Sequence, residues 1–230
     1  MIPSPLPAGS RQRCSGAVAV PQIKICGLTS VDAVEACIKA NADWCGLVFY
    51  PPSPRNLTPS DAALLAAAAA GRIGKVGLFV DADDLAIAEG VRAGALDAIQ
   101  LHGHEPPERA AQVRQRFGLP VWKAVPVTTA ADVEQASDYR GAADLILFDA
   151  RTPSGSLPGG MGLSFDWSLV AHWKGPLPWG LAGGLSLGNV AQAVRQTGAP
   201  LIDASSGVET APGMKDTGLI AAFCAAARSI

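Results

Sequence analysis

The sequence has no C-x-x-C pair, no block of basic residues and no long apolar run. Each absence removes a class of function. The five cysteines, Cys14, Cys26, Cys37, Cys45 and Cys224, are odd in number and unpaired in spacing. That argues against a disulfide framework or a structural zinc site, and for reduced thiols in the cytoplasm. The net charge is -2 with no basic cluster, so the footprint that nucleic acid or an anionic membrane leaves is missing. Any anionic ligand must be held by a few placed groups. The longest apolar stretch, "AALLAAAAAG", is too short to span a bilayer. The histidines form no metal-ligand set.

What is there suits one large folded unit. The chain has 230 residues, 49% of them hydrophobic and 17% charged, enough apolar material for a sizeable core. Residues 1–22 read as a loose extension rich in Pro, Gly and Ser. Arg11 and Arg13 precede only the short run "GAVAV", too little for a signal peptide, though an organellar targeting role stays open. From Ile23 onward a rhythm sets in over 23–230. Short strand-like runs ("IKICG", "WCGLVFY", "KVGLFV", "LDAIQLHG", "VWKAVPV", "DLILFDA", "WGLAGG", "LIDASSG") alternate with helical stretches. The helical stretches include "FDWSLVAHW" after the sixth strand, with Asp166 as its cap. Ser30 or Thr29, Thr58 with Pro59, and Asp216 signal helix starts; Gly71, Gly118 and Gly198 signal stops. Strands joined by helices pair in parallel, and eight such units predict an α/β fold, a single-domain (β/α)8 TIM barrel. An open doubly wound sheet is the rival. A barrel places its chemistry at the carboxyl ends of the strands and phosphate after strands seven and eight.

Those ends carry few polar groups. Cys26-Gly27 closes the first strand, and Arg55 follows the second in "YPPSPRNL". "QLHGHE" closes the fourth, Asp149 the sixth, Gly183-Gly184 the seventh, and Asp203, Ser206 and Gly207 the eighth. Each has a bland alternative. A lone cysteine is most often core. Asp149 could cap a loop, yet it emerges from "LILF", where a carboxyl group is expensive to desolvate unless used or paired. Arg55 could be solvated, although the prolines beside it stiffen a loop fit to clamp a planar anion. His102 and His104 read as residues satisfied by backbone carbonyls, and His172 as structural. The two glycine turns let backbone approach a phosphate beside a helix start. Lys24 shares a strand face with Cys26; whether it or the geometry of bound phosphate matters there is open.

Taken in order, "KICGLT", "SPRNL", "QLHG", "LILFDA", "GGMGLSFDW", "LAGGL" and "DASSGVE…PGMKD" resemble the phosphoribosylanthranilate isomerase family of tryptophan biosynthesis. The resemblance covers nearly everything from Ile23 onward. It implies an Amadori rearrangement of a phosphosugar substrate without metal or organic cofactor, in a cytoplasmic monomer or homodimer. It also implies Cys26 as general base, Asp149 as general acid, and Arg55 on the anthranilate carboxylate. Gly183, Gly184, Ser206 and Gly207 would hold phosphate, and Asp203 would contact sugar hydroxyls or orient the site. The thiol would have to be partly ionised, which predicts positive charge beside it. Two departures stand out: Met161 where the family usually has threonine or serine, and Asp81 where asparagine is common. The rivals are a histidine-pathway barrel isomerase, which would use a carboxylate in place of Cys26, and a phosphosugar-binding barrel without catalysis.

Overall fold

The computed structural model describes residues 20–150, 162–171 and 173–230. The most N-terminal residues, the loop with Met161, and His172 therefore lie outside the described residues. Eight parallel strands form a closed barrel in sequence order. They are β1 (Gln22–Cys26), β2 (Trp44–Phe49), β3 (Gly74–Phe79), β4 (Ala98–Leu101), β5 (Val121–Val127), β6 (Leu145–Ala150), β7 (Trp179–Leu181) and β8 (Leu201–Ala204). Pairing of β8 with β1, Lys24 opposite Asp203, closes the ring and disposes of the open-sheet alternative.

Strand alternation explains two separate cores. Ile23, Ile25, Leu47, Phe79, Ile99, Ile146, Phe148 and Ile202 point outward and are buried under the helices. Their in-between neighbours Trp44, Val76, Ala98, Trp122, Leu147 and Leu201 fill the barrel's lower interior. Trp44 and Trp122 meet edge to face there, with ring centroids 5.1 Å apart. Higher in the barrel Cys26, Val48 and Leu78 form a small cluster below the rim. The interior is thus a packed column that opens at its top onto polar groups.

The helices are α1 (Val31–Lys39), α2 (Pro59–Ala69), α3 (Asp84–Gly94), α4 (Pro107–Phe117), α5 (Ala130–Gln135), α6 (Val190–Thr197) and α7 (Thr217–Arg228). Ser30, Thr58 and Asp216 cap α1, α2 and α7, each accepting a backbone N–H in the first turn. Gly118 and Gly198 end α4 and α6 in the left-handed conformation. Gly71 stands one place further on, because Ala70 itself takes the left-handed cap of α2.

One expected helix is absent. Between β6 and β7 the described residues contain only a 3-10 turn, Trp167–Leu169. Asp166 caps it, its carboxylate accepting the Ser168 N–H. Aromatic docking takes the helix's place: Trp173 and Trp179 lie against Phe148, with centroids 5.2 and 5.9 Å away. The fifth helix is short and passes into a 3-10 turn at Ala136–Tyr139. After β8 the chain makes a 3-10 turn, Ser206–Val208, and a small antiparallel pair, β9 (Glu209–Ala211) and β10 (Met214–Lys215). Among the described residues, no helix is long and apolar enough to cross a membrane.

Candidate active site

The carboxyl ends of the strands surround a concave cavity lined by both polar and apolar residues. Cys26 enters it from β1, Arg55 from the loop after β2, Asp149 from β6 and Asp203 from β8; Gly183, Gly184 and Ser206 line it from the turns. Gly207 lines an adjoining depression with Ser206, Gly184, Ser186 and Asn189. The residues singled out in the sequence are therefore gathered in one place.

Cys26 is buried, and a glycine makes room for it. A Cβ on Gly46 would stand 2.7 Å from the Cys26 Sγ. Lys24, two residues back on the same face, is fully buried and donates from Nζ to Asp203 Oδ2 at 2.7 Å. Asp203 Oδ1, also buried, has no hydrogen-bond partner among the described residues. Burial pushes the Lys24 ammonium down, but Asp203 and the adjacent thiol outweigh it and raise it above the usual lysine range. Burial also pushes Asp203 up, against the pull of Lys24. Both partners thus hold a proton more tightly than in water. Positive charge does stand beside the thiol, from Lys24 and Lys215. Burial still outweighs it, and the pKa of the Cys26 thiol lies above its ordinary value. The expected partial ionisation is thus opposed by the low-dielectric pocket.

Asp149 accepts the Ala150 N–H on Oδ1 at 2.8 Å, and its Oδ2 lies 3.0 Å from His102 Nε2. The other ring nitrogen of His102 is 2.9 Å from Gln100 Nε2. His102 is thus a member of the site, where the sequence reading had a residue satisfied by backbone carbonyls. Its position two residues from buried Gln100, on the inward face of the same chain run, was the signal. His104 is exposed and pairs with Asp81, Nδ1 to Oδ2 3.0 Å.

Arg55 runs beneath the first turn because residue 27 has no side chain: a Cβ on Gly27, itself at φ +78°, would meet Arg55 Cδ at 2.4 Å. Its Nε and Nη2 donate to the two oxygens of Glu209 at 2.8 and 2.7 Å. Lys215 Nζ donates to the same Glu209 Oε1 at 2.5 Å and to the Ser205 carbonyl at 3.1 Å. Burial pushes Glu209 up, but its bonds to Arg55 and Lys215 hold it below the usual carboxylate range. Burial pushes Lys215 below the usual lysine range despite Glu209. Neither residue was singled out in the sequence, although both lie inside the quoted motifs "SSGVE" and "PGMKD".

The turns after β7 and β8 are closely packed on glycine backbone. Gly183 and Gly184 take φ +83° and +63°. A Cβ on Gly184 would meet the Leu163 carbonyl, and one on Gly207 the Leu185 carbonyl. Asn189 fixes the first turn, accepting the Ser186 N–H at 2.8 Å and donating to the Gly184 carbonyl at 2.9 Å.

The family model described as N-(5'-phosphoribosyl)anthranilate (PRA) isomerase matches residues 23–226. The chain belongs to this isomerase family. A PRA isomerase of Paramagnetospirillum magneticum is 53% identical over 208 residues, which is 90% of this chain and 97% of that protein. One from Rhodospirillum centenum is 50% identical, covering 91% and 99%. Among solved structures, the PRA isomerase of Thermotoga maritima aligns with a TM-score of 0.81 at 34% identity, covering 91% of this chain and all of that one. A PRA isomerase complex with reduced 1-(o-carboxyphenylamino)-1-deoxyribulose 5-phosphate aligns with a TM-score of 0.79 at 33% identity, with the same coverage. Among the described residues, no three His, Cys, Asp or Glu side chains are grouped to hold a metal ion.

Proposed function

We propose that this PRA isomerase carries out the Amadori rearrangement of N-(5-phosphoribosyl)anthranilate with Asp149 as general acid and Cys26 as general base. Asp149 gives its proton to the furanose oxygen as the C1–O bond breaks, and the nitrogen lone pair forms the iminium. Cys26, as thiolate, takes the C2 proton; the C–H electrons make the C1–C2 double bond and the iminium electrons return to nitrogen. The enolamine loses its O2 proton and gains one at C1, giving the 1-deoxyribulose phosphate. The iminium is the electron sink, so the residues' task is placement and proton transfer, worth about 10²–10⁴-fold per group.

The observation that carries this reading is that Cys26 and Asp149, from β1 and β6, open into one cavity. Arg55 is suited to the substrate carboxylate, and the turns at Gly183, Gly184, Ser206 and Gly207 to its phosphate. Asp203, which lines the cavity and has one oxygen without a hydrogen-bond partner among the described residues, is suited to a sugar hydroxyl. All these groups come from one chain, so a monomer and a homodimer would each hold complete sites. The four described cysteines are unbridged, the form that a reducing cytoplasm maintains.

The test is the loss of anthranilate-type fluorescence on adding protein to freshly made substrate. Wild type should turn over, while Cys26→Ala and Asp149→Asn should bind and fail to. Turnover at the wild-type rate in either variant would remove that residue from the mechanism.

A further inference from the structure

Arg55 is fixed along its whole length. Its backbone N–H donates to Ser53 Oγ at 3.1 Å. Pro54, just before it, is met by the turn of the β9–β10 hairpin: a Cβ on Gly213, at φ +83°, would stand 2.7 Å from the Pro54 carbonyl. Its stem passes against Gly27, where a side chain would collide with it. Its head is gripped by Glu209 in a two-bond, fork-to-fork pair, with the side chains 10% and 3% exposed. A free arginine loses its rotamer freedom only when a ligand arrives. Here Glu209 has removed that freedom beforehand.

Glu209 is itself held. It follows directly on the Ser206–Val208 turn after β8. Lys215 Nζ ties its Oε1 to the Ser205 carbonyl and hydroxyl, at 2.5, 3.1 and 3.3 Å. Thr29 Oγ1 donates to the Gly213 carbonyl at 2.8 Å, fastening the hairpin to the first turn of the rim. Ser205 and Ser206 line the same cavity as Arg55. One carboxylate therefore registers the guanidinium against the turn after β8.

We infer that Glu209 is the positioning residue of the Arg55 clamp. By fixing the guanidinium's plane and its offset from the β8 turn, it sets a preference for aryl aminoaldose phosphates that carry a ring carboxylate. This rests on the reading of Arg55 as the partner of the substrate carboxylate. A substrate without that carboxylate leaves the clamp unused and draws no advantage from Glu209.

The test compares two substrates, made by condensing ribose 5-phosphate with anthranilate or with aniline, which lacks the carboxylate. Chromatographic separation of the aldose and ketose forms reads both alike. Wild type should prefer the anthranilate compound. In Glu209→Gln, KM for that compound should rise about tenfold or more, the scale of a hydrogen bond to a charged group. KM for the aniline compound should rise far less, so the preference in kcat/KM shrinks about tenfold. A merely structural Glu209 would impair both substrates alike; that result, or an unchanged preference, would overturn the inference. If Glu209→Gln does not fold, because it leaves two buried cations without their carboxylate, its combination with Lys215→Met removes one of them and carries the same expectation. Arg55→Ala separates the inference from the reading beneath it. Preference lost there but kept in Glu209→Gln overturns the inference alone. Preference kept in Arg55→Ala sinks the assignment of Arg55 to the carboxylate.

Discussion

Two buried lysine–carboxylate pairs in this barrel invite comparison: Lys24–Asp203 inside the ring and Lys123–Glu105 outside it. Both are short, 2.7 and 2.9 Å, and nearly sealed from water. The outer pair is saturated. Glu105 accepts the N–H groups of Asp81 and Gly103, and Lys123 also donates to the carbonyls of Leu101 and Gly103. It braces the loops after β3 and β4. The inner pair leaves Asp203 Oδ1 bare. A saturated pair does structural duty; an unsaturated one whose carboxylate lines a cavity leaves an acceptor unused.

The largest expected effect separates the two. Lys24→Met and Lys123→Met should each cost about 3–5 kcal/mol in denaturant unfolding, since each strands a buried carboxylate. Only Lys24→Met should lower kcat per folded molecule, by about 100-fold or more, the scale of one proton-transfer group. Equal loss of kcat in both would erase the distinction between the two pairs. Next, Gly46→Ala disturbs the thiol sterically and leaves the charges alone. The new methyl would stand 2.7 Å from Sγ, so about 1–3 kcal/mol of stability and a good part of kcat should go together.

A smaller effect concerns two buried thiols outside the site. Burial pushes Cys45 up to about 12 and Cys224 up to about 11. The folded values exceed the unfolded one, so this stabilisation is complete below pH ~8.5 and drains away as pH climbs toward 11–12. Melting temperature should fall across that window, and fall less steeply in Cys45→Ala; an unchanged slope would count against it. The smallest effect belongs to the rim. Asp81→Asn removes an exposed pair with His104 and should change stability by no more than about 0.5 kcal/mol and kcat not at all. A clear kcat change would bring the β3 loop into the site.

Much of this was legible beforehand. Strand alternation and the glycine turns mark the barrel and its working end, because period-two patterns and left-handed turns are local properties. "FDWSLVAHW" misled because an Asp cap followed by apolar residues looks helical, while docking of Trp173 and Trp179 on Phe148 is settled by distant contacts. Glu209 and Lys215 escaped for the same reason: Glu209 meets Arg55 across 154 positions of sequence. Nothing local announces such a partner. The Cys26 thiol was legible as a candidate, yet the strength of its desolvation was not, since burial is a property of the finished fold.

The seam between the first and last strands has a consequence for biogenesis. Lys24 emerges from the ribosome early and Asp203 late. Until β8 is made, Lys24 has no counter-ion, and a fully enclosed ammonium without one is prohibitively unstable. A growing chain can collapse its middle strands and helices, but it cannot seal the ring. Synthesis at about 5–20 residues per second puts roughly ten seconds or more between the two residues. Throughout that interval the nascent protein stays open along one edge, inactive and dependent on its eighth strand to shut.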